Sequence, residues 1–283
     1  QVNDGYIEAK APSYLVGDTI HLNFPSVGAT ENLLLAASLA RGTTVIRNAS
    51  RAPEVVDLCN FLQKAGVKIT GTGTDTLTVE GVRYLSAVDY SIIPDRVEAG
   101  TFIIAAGITA GEILLEGVEA EHLKMPILKL KSMGIQIKIM GRKIHVKGPS
   151  VLQPVKVKTM PHPGFPTDLQ PQITSLACLT QGKSKIVETI FESRFSHIPE
   201  LRKMGANIHQ RGTKIEVTGV PFLHGAQVVA SDIRGGAALA LAGLAAKGET
   251  EILNPHYMDR GYENLEEKLA HLGATIKREK VVT

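Results

Sequence analysis

Two aspartates and three arginines stand out in the second half of the chain: Asp168, Arg194, Asp232, Arg234 and Arg260. Each lies in a short polar run. The runs are Phe165-Pro166-Thr167-Asp168, Glu192-Ser193-Arg194-Phe195, Ser231-Asp232-Ile233-Arg234 and Asp259-Arg260-Gly261-Tyr262-Glu263. A fifth run of the same kind, Pro25-Ser26-Val27-Gly28, lies near the start. Arginine suits phosphate and carboxylate because its planar fork donates two hydrogen bonds at once. A carboxylate among arginines stays ionised and can accept a proton from a hydroxyl group. Any one of these runs could equally be a helix cap or a surface ion pair, since Asp and Ser are favoured N-caps. Taken together they predict a site for a multiply anionic small molecule. Their spacing specifies no reaction.

What places such runs at equivalent positions is an internal repeat. Four stretches close a helix on Gly and pass straight into a strand: Leu-Ala-Arg-Gly-Thr-Thr-Val-Ile at 39–46, Ile-Thr-Ala-Gly-Glu-Ile-Leu-Leu at 108–115, Leu-Thr-Gln-Gly-Lys-Ser-Lys-Ile at 179–186 and Ala-Ala-Lys-Gly-Glu-Thr-Glu-Ile at 245–252. Their glycines, Gly42, Gly111, Gly182 and Gly248, recur at intervals of 69, 71 and 66 residues. A second helix-ending glycine follows each one: Gly66, Gly134, Gly205 and Gly273. Glycine there is the usual left-handed cap. Between the two glycines the pattern predicts a strand, a polar loop and an amphipathic helix. In the first repeat that helix starts at Pro53-Glu54 and carries Val55, Leu58, Cys59, Leu62 and Ala65 as its apolar stripe. Paired short strands then follow, at 67–70 with 77–80, 135–139 with 143–147 and 208–210 with 214–218. The unit reads β-α-β-α-β-β, and the polar runs are its strand-to-helix loops. Helix N-termini in such loops attract anions.

Residues 1–10 match the closing hairpin of a repeat, with Asp4-Gly5 as the turn. The chain is therefore expected to be the C-terminal two-thirds of a longer protein, with its first domain incomplete. A break in strand-helix continuity between residues 82 and 94 places the domain division near residue 92. The first domain, 1–92, would hold a hairpin remnant and one repeat, and the second, 93–283, three repeats.

Composition narrows the classes. The chain has 283 residues, 43% of them hydrophobic, and a net charge of +3 without a Lys/Arg block, which argues against a nucleic-acid binder. No apolar run reaches the roughly 18 residues of a membrane span; the longest, 237–246, fits a buried helix. Cys59 and Cys178 each fall in a helical apolar pattern and read as reduced core thiols, so a reducing, cytoplasmic setting is expected. The nine histidines show no metal spacing, and neither a metal nor a cofactor is predicted. Gly182-Lys183-Ser184 looks like the end of a phosphate-binding P-loop, but Ala177 stands where its first Gly is required and the triplet leads from helix to strand.

The runs named above, together with Asn48-Ala49-Ser50-Arg51-Ala52-Pro53-Glu54, Pro94-Asp95-Arg96-Val97-Glu98-Ala99-Gly100-Thr101 and Pro161-His162-Pro163-Gly164, resemble the enolpyruvyl transferases. Phe-Pro-Thr-Asp and Asp-Arg-Gly-Tyr-Glu point to the branch that begins peptidoglycan synthesis. That resemblance implies an inside-out α/β barrel of two domains, with substrates in the cleft between them. It implies transfer of the enolpyruvyl group of phosphoenolpyruvate to the 3-hydroxyl of UDP-N-acetylglucosamine through a tetrahedral phosphate ketal. It also assigns roles. Asp168 binds the sugar and takes its proton, Asp232 is the second carboxylate, and Arg194, Arg234 and Arg260 neutralise the phosphate and carboxylate, Arg260 most directly. Ser26, Val27 and Gly28 hold the diphosphate, and Ile190 lies beside the nucleotide. The family's general-acid cysteine, its Lys-Asn pair and two more arginines match nothing here. The isolated chain is accordingly expected to be inactive unless a separate N-terminal piece joins it. The alternatives are a transferase acting on shikimate 3-phosphate and a non-catalytic ligand-binding fragment.

Overall fold

The computed structural model describes residues 2–3, 6–7 and 13–279. The chain divides into two compact units, Gln1–Ile93 and Pro94–Thr283.

In the first unit β1 (Val2–Asn3) and β2 (Tyr6–Ile7) pair antiparallel. The expected Asp4-Gly5 turn and residues 8–10 lie outside the described residues. A full repeat follows: β3 (Thr19–His21), α1 (Val27–Ser38), β4 (Thr43–Arg47), α2 (Pro53–Lys64), β5 (Lys68–Thr70) and β6 (Thr76–Glu80). Its sheet runs β3-β4-β6-β5, with only the β3–β4 pair parallel. Pro53 opens α2, where its missing N–H costs nothing. Val55, Cys59 and Leu62 from α2 pack in a core with Leu34, Ile46, Leu77 and Val79.

The second unit opens with α3 (Arg96–Ile108), capped by the Asp95 carboxylate, which accepts the N–H groups of Val97 and Glu98. Then come β7 (Glu112–Glu116), α4 (Lys124–Ser132), β8 (Gln136–Met140) and β9 (Lys143–Lys147). Residues 82–95 contain no strand, so this sheet has three strands, β7-β9-β8, and the repeat is one strand short of the expected unit. The next repeat is complete: β10 (Lys156–Lys158), α5 (Gln170–Ala177), β11 (Lys183–Val187), α6 (His197–Lys203), β12 (Asn207–Arg211) and β13 (Lys214–Thr218). Its order, β10-β11-β13-β12, repeats that of the first unit. The last comprises β14 (Leu223–His224), β15 (Gln227–Val229), α7 (Ile233–Leu244), β16 (Ala246–Lys247), β17 (Glu251–Leu253) and α8 (Leu265–His271). Here β14 pairs with β16 and β15 with β17, both parallel. Helices α3, α5 and α7 pack on one another and form the centre of the unit, joined by the Ser175 hydroxyl donating to the Ala238 carbonyl at 2.8 Å.

Gly66, Gly134, Gly205 and Gly273 all adopt positive φ, as helix-ending glycines should. The opening series has one exception. In the second repeat Ala110 (φ 52°) takes the left-handed turn, one residue before Gly111, although an alanine Cβ disfavours that conformation. A third series emerges only from the structure. Gly81, Gly148 and Gly219, just past β6, β9 and β13, donate their N–H groups to the carbonyls of Gly42, Gly111 and Gly182 at 3.1, 2.8 and 2.9 Å. A Cβ at these positions would fall 1.8, 2.2 and 1.6 Å from the carbonyl oxygens of Ala40, Ala106 and Thr180. Only glycine lets the strand end close on the helix end. Both cysteines are free and buried; Cys178 caps the C-terminus of α5 instead of lying in a helix interior.

Candidate functional site

The four polar runs of the second unit all follow strands and lead into helices. Asp168 sits in the 3-10 turn Thr167–Leu169 just ahead of α5, and Arg194 between β11 and α6. Asp232 is the N-cap of α7, with Arg234 in its first turn. Arg260 ends the 3-10 turn Pro255–Arg260 before α8. These five side chains line one cavity of about 510 Å³, with Phe191, Ser193, Ser196, Ser231 and Ile233.

Asp168 joins two loops. Its Oδ1 accepts from Arg194 Nη1 at 2.5 Å and its Oδ2 from Arg234 Nη2 at 3.2 Å. The carboxylate makes no hydrogen bond to a backbone N–H among the described residues, so it is not a helix cap. Both arginine side chains are about five-sixths buried, at 17% and 15% exposure, and such pairs are screened far less than surface ones. Arg194 lies 5.0 Å from the centre of the Phe191 ring and Arg234 5.5 Å from that of Tyr262. The buried Tyr262 hydroxyl is held by Thr101 Oγ1 at 2.9 Å and by Gln172 Nε2 at 3.1 Å, which fixes the ring behind Arg234.

Asp232 does cap its helix, accepting the N–H groups of Arg234 and Gly235 at 3.0 and 2.8 Å. Its other oxygen accepts the Ser196 hydroxyl at 2.5 Å. Burial alone would raise its pKa. The bonds from Gly235, Ser196 and Arg234 outweigh burial and hold the carboxyl below its usual range. Beside it, His197 is 1% exposed with neither ring nitrogen hydrogen-bonded. Burial pushes the imidazole down to about 4, Arg194 acting in the same direction and Asp232 against it. It is neutral at neutral pH.

Arg260 is exposed and makes no hydrogen bond or ion pair among the described residues. Its loop is pinned from behind by Arg278, which donates to Asp259 at 2.6 and 3.3 Å and pairs with Glu266 at 3.2 Å. The cavity thus offers a free guanidinium, two half-engaged ones and the carboxyl groups of Asp168 and Asp232. Such a surface can bind an anion and accept a proton from a neighbouring hydroxyl.

The other expected site residues lie elsewhere. Ile190 does not line this cavity; it is half-buried and its N–H donates to Glu188. Ser26, Val27 and Gly28 form the N-terminus of α1 in the first unit, where Ser26 Oγ accepts the Ala29 N–H at 3.3 Å. Space is open beside Gly28. Sequence reading missed Ser196 and His197, although both directly follow the Arg194 run. It also missed Phe191, which directly precedes it. Among the described residues, no group of three or more His, Cys, Asp or Glu could hold a metal ion, and no helix is long and apolar enough to cross a membrane.

The profile of the EPSP synthase (3-phosphoshikimate 1-carboxyvinyltransferase) family matches residues 1–269. The chain belongs to this family. Among curated relatives, it is 53% identical over 274 residues to UDP-N-acetylglucosamine 1-carboxyvinyltransferase 1 of Symbiobacterium thermophilum, covering 97% of this chain and 62% of the relative. It is 50% identical over 277 residues to the protein of that name in Caldanaerobacter subterraneus subsp. tengcongensis, covering 98% and 66%. The chain therefore spans just under two-thirds of these relatives. Among solved structures, the enolpyruvyl transferase NikO of Streptomyces tendae superposes with a TM-score of 0.86 at 29% identity, covering 94% of this chain and 66% of that one. EPSP synthase of Acinetobacter baumannii, at 21% identity and a TM-score of 0.75, covers 94% and 64% and shares the fold. The architecture is the α/β fold of the enolpyruvyl transferases.

Proposed function

We propose that the cavity of the second unit is part of the active site of an enzyme that transfers the enolpyruvyl group from phosphoenolpyruvate to the 3-hydroxyl of UDP-N-acetylglucosamine, the first committed step of peptidoglycan synthesis in the cytoplasm. The observation that carries this reading is the Asp168 carboxylate held between Arg194 and Arg234 in the same cavity as the unpartnered Arg260. The names of the curated relatives support the choice of sugar nucleotide.

Asp168 takes the proton of the sugar 3-hydroxyl as the oxygen attacks C2 of phosphoenolpyruvate, while C3 gains a proton and becomes a methyl group. The product of this addition is a tetrahedral ketal that still carries phosphate. Loss of phosphate and of one methyl proton then restores the double bond in the enolpyruvyl ether. Arg260 binds the phosphate or carboxylate, and Arg194 and Arg234 complete a cationic wall fixed before the reaction, which is the arrangement that stabilises developing negative charge most. Asp232, kept ionised by its three hydrogen bonds, is the second carboxylate beside the reacting carbons. Ser26, Val27 and Gly28 hold the diphosphate at the α1 N-terminus, where backbone N–H groups favour anions, and Ile190 borders the nucleotide. The complete enzyme is an inside-out barrel of two three-repeat domains. The part of the relatives' length that this chain does not span supplies the proton donor to C3.

Two measurements test this. This chain alone releases no phosphate above background from the two substrates; the full-length protein does, and titration shows binding of UDP-N-acetylglucosamine and none of shikimate 3-phosphate. In the full-length protein Asp168→Asn keeps UDP-sugar binding within about tenfold and lowers turnover by roughly 10² or more. Undiminished turnover would leave Asp168 as a structural ion-pair partner only.

A further inference from the structure

Behind the cavity lies a carboxylate that the mechanism above does not use. Glu188, directly after β11, is 1% exposed, and an ionised carboxylate in such a place needs a full set of donors. It has four. Oε1 accepts the Thr159 hydroxyl at 2.7 Å and the backbone N–H groups of Ile190 and Phe191 at 2.8 and 3.1 Å. Oε2 accepts the Thr167 hydroxyl at 3.0 Å. The donors come from three segments with different tasks. Thr167 adjoins Asp168 in the same 3-10 turn. Ile190 and Phe191 start the loop that carries Arg194, and Phe191 itself lines the cavity and lies against the Arg194 guanidinium. Thr159 follows β10, and its hydroxyl also accepts the Thr189 N–H at 2.8 Å. Glu188 thus bonds both the Asp168 turn and the Arg194 loop.

We propose that Glu188 is a positioning residue that sets the distance between the base Asp168 and its arginine partner Arg194 by holding both their loops from beneath. The inference rests on the reading of the cavity as an active site. Its physical basis is that the Asp168–Arg194 pair meets across two separate loops, and two flexible loops would leave that pair a range of geometries. A buried carboxyl group with four fixed donors removes that range, because moving either loop leaves buried polar atoms without partners. The consequence is functional: turnover is sensitive to misplacement of about 1 Å, so loosening the loops reduces turnover without removing any group that touches substrate.

Three variants of the full-length protein test this: Glu188→Ala, Glu188→Gln and Thr167→Val. Hydrogen exchange at the Ile190 and Phe191 amides reads the clasp directly and does not depend on catalysis. In Glu188→Ala both amides exchange at least tenfold faster. In Glu188→Gln they stay within about threefold of wild type, because the amide oxygen accepts the same N–H groups while its NH₂ donates to Thr167. Thr167→Val leaves both amides slow and frees only the Asp168 turn. Turnover falls at least tenfold in Glu188→Ala and in Thr167→Val, and Glu188→Gln recovers most of it. If Glu188→Ala does not fold, the Gln and Val variants carry the test. Wild-type turnover in Thr167→Val, or a Glu188→Gln variant as impaired as the alanine one, overturns the proposal. So do unchanged amides in Glu188→Ala. A wild-type protein that transfers no enolpyruvyl group refutes the function instead, and the amide exchange then decides the clasp by itself.

Discussion

Helices α1 and α7 occupy equivalent places in their repeats and are both rich in Leu and Ala, yet they meet different surroundings. Residues 235–242 of α7 are all buried, in contact with α3, α5 and α6. In α1 only Thr30, Leu34, Ala37 and Ser38 are buried, while Leu35 and the following Leu39 are 53% and 54% exposed. Within its unit α1 packs on α2, β4 and β6. One repeat covers one side of its first helix; three repeats cover every side of α5 and α7. The apolar composition of these helices is thus set by the company of several repeats, as expected of elements that cannot bury both faces alone.

The strongest test of this contrast is a cavity in the shared helical layer. Leu176 of α5 is fully buried, with a side chain directed at Gly107 of α3. Leu176→Ala should destabilise the second unit by about 2–5 kcal/mol in urea unfolding, with the first unit's transition unmoved. A loss below about 1 kcal/mol would mean that the layer is looser than its burial implies.

Acid should separate the units next. His197 has a pKa of about 4 in the folded protein against about 6.5 when unfolded, because burial disfavours its charge. The unfolded chain therefore binds the extra proton between those values, and stability is lost as pH falls from about 6.5 to 4, by about 3 kcal/mol for this group. The first unit's only histidine, His21, is exposed. Unfolding at pH 7, 5 and 4 should show the second unit weakening ahead of the first, and His197→Leu should flatten that dependence.

The chemistry should follow the same division. In the full-length protein Arg260→Ala should raise the phosphoenolpyruvate requirement about ten- to a hundredfold, the equivalent of roughly 1.5–3 kcal/mol. Arg260→Lys should recover part, since it keeps the charge and loses the fork. Binding of the UDP-sugar should barely change; a defect confined to the UDP-sugar would move Arg260 out of its assigned role. The smallest effect belongs to the exposed face of α1. Leu35→Ala in this chain should shift stability by no more than about 0.5 kcal/mol, as read by the thermal midpoint of the first unit.

Much of this was legible in the residues. Glycine caps mark helix ends because only they reach positive φ without strain, so the repeat, its loops and the convergence of Asp168, Arg194, Asp232, Arg234 and Arg260 could be read from spacing. The break in the pattern at 82–94 points to a division between domains, but not to the missing strand that leaves the second repeat's sheet with three. What stayed hidden depends on which way side chains face. Glu188 looks like an ordinary polar residue after a strand, yet the alternation Ser184, Ile186, Glu188 puts it on the inward face. That alternation was the available signal. Ala110 could not be foreseen, because a glycine next to it offered the cheaper turn. The pairing of Arg278 with Asp259 joins residues 19 positions apart whose meeting depends on how α8 returns.

The third glycine series has a consequence of another kind. Between Gly42 and Gly81, Gly111 and Gly148, and Gly182 and Gly219 the backbone leaves a point and returns to it, sealed by one hydrogen bond each time. Each stretch is a closed circuit whose entrance and exit lie side by side. Chain segments with adjoining ends can be copied in tandem, excised or re-joined with little disturbance to what flanks them. The three circuits are thereby fixed at their seams by carbonyls that leave no room for a methyl group beside them.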